Sequence, residues 1–211
     1  ICRQRLCRSE RLNVRTVSLV GKNYDDTILY AHGVVEGETN EVSDIVVTHG
    51  GMYNLLEARM PGIDFDFHPC GAKEVWVVSD SSSSRRTSFV KTSKASIVDK
   101  DTIDEINARS SWAHVCYIDD IEFPDNLLNL RIPFSLDFCT IKNREGFFTF
   151  MKRAAAIFDS RERKHLYHNI DIEAPIILHD ESGVEVIVNR EVIYTVSNRA
   201  LNGLNVNGAG D

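Results

Sequence analysis

Apolar residues follow two different rhythms along this chain. Residues 16–21 (TVSLVG) form a short β-branched run ending in glycine, and residues 27–30 (TILY) resume it, which predicts a buried, central first strand. Over residues 33–51 the texture changes. Val42, Ile45, Val46 and Val47 alternate loosely with polar residues between glycine turns, the pattern of a half-exposed antiparallel hairpin. A second region of this kind covers residues 73–90, where EVWVVSD and RRTSFV flank the serines at 81–84. Four serines could line a phosphate loop, but no glycine stands among them to bring backbone N–H groups around an anion, so the expectation is a hairpin tip.

From Asp101 onward the apolar runs become short and alternate with helical spacing. Asp101-Thr102 opens a helix carrying Ile103, Ile106 and Ala108. Strands are predicted at 115–118 (VCYI), 134–138 (FSLDF), 156–158 and 176–178 (IIL), with a helical stretch over 146–155. Residues 184–188 and 192–196 read as a hairpin around Asn189-Arg190. This succession predicts a mainly parallel sheet covered on both faces, with the mixed hairpins forming an edge or a lid.

Composition narrows the class. A chain of 211 residues suits one domain with a small appendage. The net charge of -7 argues against general nucleic-acid binding, which needs a surplus of Lys and Arg on one face. No segment approaches the roughly 18 consecutive apolar residues of a membrane span. Cys2, Cys7, Cys70, Cys116 and Cys139 are odd in number and lack paired zinc spacing, and are read as reduced thiols in a cytoplasmic protein. Residues 1–15 stand apart as a basic segment with Arg3, Arg5, Arg8, Arg11 and Arg15, read as a frayed terminus or a helix rather than a presequence. His165-x-x-His168 with Glu162 has a spacing that metal ligands use, but such groups on an exposed helix face are ordinary.

The densest chemistry lies in the last seven residues, NVNGAGD. Gly208, Ala209 and Gly210 allow successive backbone N–H groups to converge on an anion, and Asp211 places a carboxylate beside it that can take a proton from an attacking hydroxyl. This segment follows the hairpin IILHDESGVEVIVNREVIYTV, a succession that resembles the second signature of ribokinase-like (pfkB) sugar kinases. Gly21-Lys-Asn-Tyr-Asp-Asp26 resembles the family's first strand, in which a substrate-binding aspartate follows a glycine by five residues. Gly50-Gly51-Met-Tyr-Asn54 is similar to its double-glycine turn with an asparagine three residues on, and Ser135-Leu-Asp137-Phe138 to its central strand.

The resemblance covers residues 16–211. It implies a three-layer α/β/α sandwich with a mainly parallel Rossmann-like sheet and a small β-sheet lid, whose strands fall near 33–51 and 73–90. It implies ATP and Mg2+ as cofactors, a sugar or sugar-like substrate held by Asp26, Gly50, Gly51 and Asn54, an anion hole at Gly208, Ala209 and Gly210, and Asp211 as catalytic base. In many relatives the lids pair two subunits, so a homodimer through the lid is implied too. Glu162 matches the glutamate of the family's Asn-x-x-Glu motif on the nucleotide side.

Three departures accompany this. Asp159 replaces the motif's asparagine, Asp180 stands where a glycine is expected before the last hairpin, and the segment after Asn54 is abbreviated. The chain stops at Asp211, where the family's nucleotide-side helix begins, so the expectation is a sugar half without a complete ATP site. The alternative reading is a non-catalytic sugar-binding or dimerisation module.

Overall fold

The computed structural model describes residues 15–56, 60–83, 85–91, 98–118, 125–138, 147–180 and 182–197. One mixed sheet of ten strands organises them. In chain order these are β1 (Arg15–Ala31), β2 (Val42–Gly51), β3 (Ile63–Asp80), β4 (Arg85–Val90), β5 (Trp112–Cys116), β6 (Phe134–Asp137), β7 (Ala156–Ser160), β8 (Ile176–Asp180), β9 (Gly183–Val188) and β10 (Glu191–Ser197). The helices are α1 (Met52–Leu56), α2 (Lys100–Arg109) and α3 (Phe148–Met151), with 3-10 segments at Asp125–Asn129 and Arg161–Tyr167.

Strand order across the sheet is β10-β9-β8-β7-β6-β5-β1-β3-β4, and β2 pairs with β1. Strands β3, β1, β5, β6, β7 and β8 run parallel to one another, and β2, β4 and β9 pair antiparallel with β1, β3 and β8. Side-chain alternation sorts the core onto two faces. Val20 and Val115 join one apolar cluster with Ile103 and Ile106 of α2, Leu127, and Phe150 and Met151 of α3. Their neighbours Leu19 and Cys116 join the other, with Met52 of α1, Tyr24 and Tyr117. The result is the three-layer sandwich that the alternating runs imply.

Helix α2 shows why one of those segments folds as it does. The Asp99 carboxylate accepts from Thr102 N at 2.7 Å, an N-cap, and Asp101 and Arg109 complement the dipole at the two ends. The exposed face carries the i,i+4 pairs Lys100–Asp104 and Glu105–Arg109.

β1 and β3 are unusually long, at 17 and 18 residues, because each serves both the parallel core and an extension of the same sheet. Their first halves lie in the parallel core, where β1 has β5 on its other side. Their second halves continue past the core and are flanked by antiparallel β2 and β4, forming a four-stranded extension. The expected hairpin within residues 33–51 is corrected here: 42–51 is a single strand that folds back on the second half of β1. The two apolar runs of residues 16–21 and 27–30 form the single first strand expected, irregular between Gly21 and Asn23. The helix expected over 146–155 contracts to α3, since Lys152 and Arg153 already turn toward β7.

At the far end of the extension, Asp80 ties the tips together. Its carboxylate accepts from Gly33 N, from Ser82 N and Oγ, and from Ser83 Oγ at 2.7 to 3.0 Å. The serines at 81–83 are thus the hairpin tip expected, with two hydroxyls committed to Asp80. Those hydroxyls and amides hold the Asp80 carboxyl well below the usual carboxylate range.

Candidate functional site

In open parallel sheets, ligands bind outside the carboxyl ends of the strands where the strand order reverses. Here that point lies between β1 and β5: the chain leaves β1 toward β3 on one side, and later returns to lay β5 on the other. The strand ends that meet there are Gly21 of β1 and Cys116 of β5.

Asp26 stands five residues beyond Gly21, in the second half of β1 and half-buried. It pairs with Thr48 of β2, two residues before the Gly50-Gly51 turn. The Asp26 carboxylate lies against that turn so closely that a Cβ on Gly50 would sit 2.3 Å from Asp26 Oδ2. Gly51 has φ +64, and a Cβ there would meet the Lys22 carbonyl oxygen at 2.6 Å. Both glycines are therefore demanded by the approach of β1. Asn54 follows in α1, half-buried, one helical turn beyond. The structure brings Asp26, Gly50 and Gly51 together, and places Asn54 on the adjoining helix.

Several residues that the sequence did not single out surround this group. Tyr24 and Tyr117 pack edge to face with centroids 5.2 Å apart, and Lys73 Nζ lies 5.5 Å from the Tyr24 ring. Tyr117, next after β5, has φ +54, a conformation uncommon for a bulky side chain. Asn23 Oδ1 is buried without a hydrogen-bond partner. Lys22, between Gly21 and Asn23, is fully buried. A lysine inside a polar stretch reads as a solvent-facing residue, so no signal in the sequence pointed to it.

Glu162 lies elsewhere on the same edge. It opens the 3-10 segment after β7, and its side chain is exposed. Three strand spacings separate β7 from β1, about 14 Å. Asp159, at the position of the motif's asparagine, is turned inward and saturated. It accepts from Arg163 Nη1 at 2.9 Å, Tyr167 Oη at 2.6 Å and Ser160 N at 2.8 Å. It braces the segment that carries Glu162 and presents nothing to a ligand. Asp180 likewise closes its own turn, accepting from the backbone N–H of Ser182 and Gly183.

His165 and His168 form no metal centre with Glu162. His165 Nδ1 meets the Glu162 carbonyl at 3.1 Å, and among the described residues no three His, Cys, Asp or Glu side chains converge. Gly208, Ala209, Gly210 and Asp211 lie outside the described residues, as does the basic stretch 1–14. Among the described residues no helix is long and apolar enough to cross a membrane.

With this geometry in place, known proteins supply the class. No family model matches the chain, and no curated protein matches it in sequence. Solved structures match it across almost its whole length. A nucleoside kinase of Methanocaldococcus jannaschii, an archaeal member of the ribokinase family, superposes with TM-score 0.64 at 12% identity, covering 93% of this chain and 81% of that one. Ribokinase from Thermotoga maritima gives 0.60 at 14% identity over 92% and 84%. A Burkholderia thailandensis nucleoside kinase solved with inosine gives 0.58 at 10% identity over 88% and 77%. The chain has the ribokinase-like (pfkB) fold, and the four-stranded extension lies where the resemblance implies a lid.

Proposed function

We propose that this chain serves phosphoryl transfer from ATP to a hydroxyl of a sugar or sugar-like compound, with Asp26, Gly50, Gly51 and Asn54 holding the acceptor. The observation that carries this reading is the convergence of the Asp26 carboxylate on the Gly50-Gly51 turn beside the switch point. A half-buried carboxylate with an Asn side chain on the adjoining helix offers the several directional hydrogen bonds that a polyol needs. Neighbours described as ribokinase and nucleoside kinases are consistent with a small, hydroxyl-rich ligand.

In this reading Asp211 takes the proton of the acceptor hydroxyl, and the backbone N–H groups of Gly208, Ala209 and Gly210 receive the transferring phosphoryl charge. Glu162, exposed at the carboxyl end of β7, fits the nucleotide side, where Mg2+ when bound offsets phosphate charge. Its distance from β1 leaves room for a sugar and the phosphates between them.

The test is titration calorimetry of the chain with D-ribose, D-fructose and inosine, and separately with magnesium-ATP. At least one sugar is expected to bind, and Asp26→Ala to weaken it about 10- to 150-fold, the worth of a hydrogen bond to a charged group. No binding by any of the three sugars overturns the reading. A second reading, a sugar-binding module without transfer, is favoured by the inward-facing Asp159 and by a β7–β8 connection that holds only a 3-10 turn. Sugar binding without ATP binding selects it.

Pairing of two copies through the lid belongs to the same proposal. One lid face carries Ile45, Val47, Leu29, Trp76, Val78 and Phe89 side by side across four strands, as the strand registers require. Val47 is 75% exposed, Ile45 and Phe89 59%, and Trp76 54%. The ion pairs Asp25–His49 and Glu74–Lys91 border it at one end. Such a contiguous apolar face with a charged border is the anatomy of an interface.

A further inference from the structure

The lid leaves the core at one place, and a buried lysine stands there. Register between β1 and β3 is regular from Arg15 to Gly21, breaks, and resumes at Asn23, with Gly21 opposite Pro69 and Asn23 opposite Ala72. Lys22 faces Cys70 and Gly71 across this break. Among the described residues it is one of the largest fully buried side chains. Gly71, at φ +153, lies along the lysine stem: a Cβ there would stand 3.3 Å from Lys22 Cε, 3.7 Å from Cγ and 3.8 Å from Cδ. On its other side the Lys22 carbonyl oxygen abuts Gly51.

A lysine at this depth is expensive, since its ammonium must be matched by acceptors that replace water. A chain that needed only a strand here would carry a valine, as it does at Val20. The break also changes which face the strand presents. Before it, alternate residues Leu19 and Gly21 face the α1 side; after it, Tyr24, Asp26 and Ile28 do. Without the extra residue that β3 carries opposite Lys22, β1 would keep its alternation and Asp26 would turn to the opposite face, away from Gly50.

We propose that Lys22 is a positioning residue of the sugar site: its buried side chain, seated along Gly71, locks the bulge that aims Asp26 at the Gly50-Gly51 turn and fixes the lid to the core. This rests on the sugar-site reading for its functional consequence, but its structural content can be tested without a ligand. Lys22 touches no substrate in this scheme. It acts through the register of β1.

Two variants perturb the lock from opposite sides. Lys22→Met keeps the stem and removes the ammonium, whereas Gly71→Ala keeps the ammonium and crowds the stem. Amide hydrogen exchange by mass spectrometry on the full chain reads the lid and the core separately. Both variants are expected to speed exchange at least tenfold in residues 23–31 and 42–51, with β6 to β8 unchanged, and to weaken D-ribose or inosine binding at least tenfold. Gly71→Ala keeps the test open if Lys22→Met does not fold. Lid exchange equal to the parent's in the folded variants overturns the proposal. If the parent binds no sugar, the sugar-site reading falls while the exchange result still decides the role of Lys22.

Discussion

At His114, burial sets the charge state. The residue stands on β5 opposite Ser135 of β6, and burial pushes its pKa down to about 4. Trp112 Nε1 donates to Ser135 Oγ at 3.0 Å, and the Ser135 hydroxyl can in turn donate to His114 Nδ1 at 2.8 Å, a bond that only the unprotonated nitrogen accepts. The folded chain therefore holds His114 neutral below pH 6.5, where the unfolded chain binds a proton. The stability this residue confers is complete above about pH 6.5 and is lost as pH falls toward 4, at most about 3 kcal/mol. Urea midpoints measured between pH 7 and 4 should fall accordingly, and His114→Gln should flatten that slope. Asp159 predicts a different cost. Asp159→Ala strips a buried partner from Arg163 and Tyr167 and is expected to destabilise by about 3 kcal/mol or more, checked by the same denaturation. Asp26 and the Gly50-Gly51 pair were singled out through the family resemblance, and the fold brings them against one another. The burial of Lys22 and Asp159 was not legible, because it is decided by segments distant in sequence.

Elements whose partners lie close in sequence were read well. The β9–β10 hairpin falls where its alternating pattern placed it, with Asn189 and Arg190 at φ 52 and 69 in the turn. Two left-handed residues are what a two-residue turn between twisted strands requires, and arginine suits the second position poorly. Arg190→Gly should raise stability by about 0.5 kcal/mol, after the entropic cost of glycine, with an unchanged denaturant slope. The first strand was read across residues 16–30, and the flanking β2 and β3 carry its polar stretch GKNYDD as strand. The 33–51 region was assigned an internal hairpin because alternation shows that a strand exists but not which strand it pairs with.

For the whole molecule, the alternation of short apolar runs and helices was enough to reveal a doubly covered parallel sheet, and the strand order around β1 supplied what the runs could not. The exposed lid face makes a prediction at this scale. Sedimentation velocity should show a concentration-dependent dimer, and Val47→Lys should shift it to monomer while leaving the circular dichroism spectrum unchanged; a monomer in the parent at micromolar concentration refutes lid pairing. A final consequence comes from the length of β1 and β3. At about 3.3 Å per residue they run together for more than 50 Å, half in the core and half in the lid, with no loop between the halves. A lid built this way does not swing like a door. Bending it must strain a hydrogen-bonded ladder that β1 and β3 share with the core.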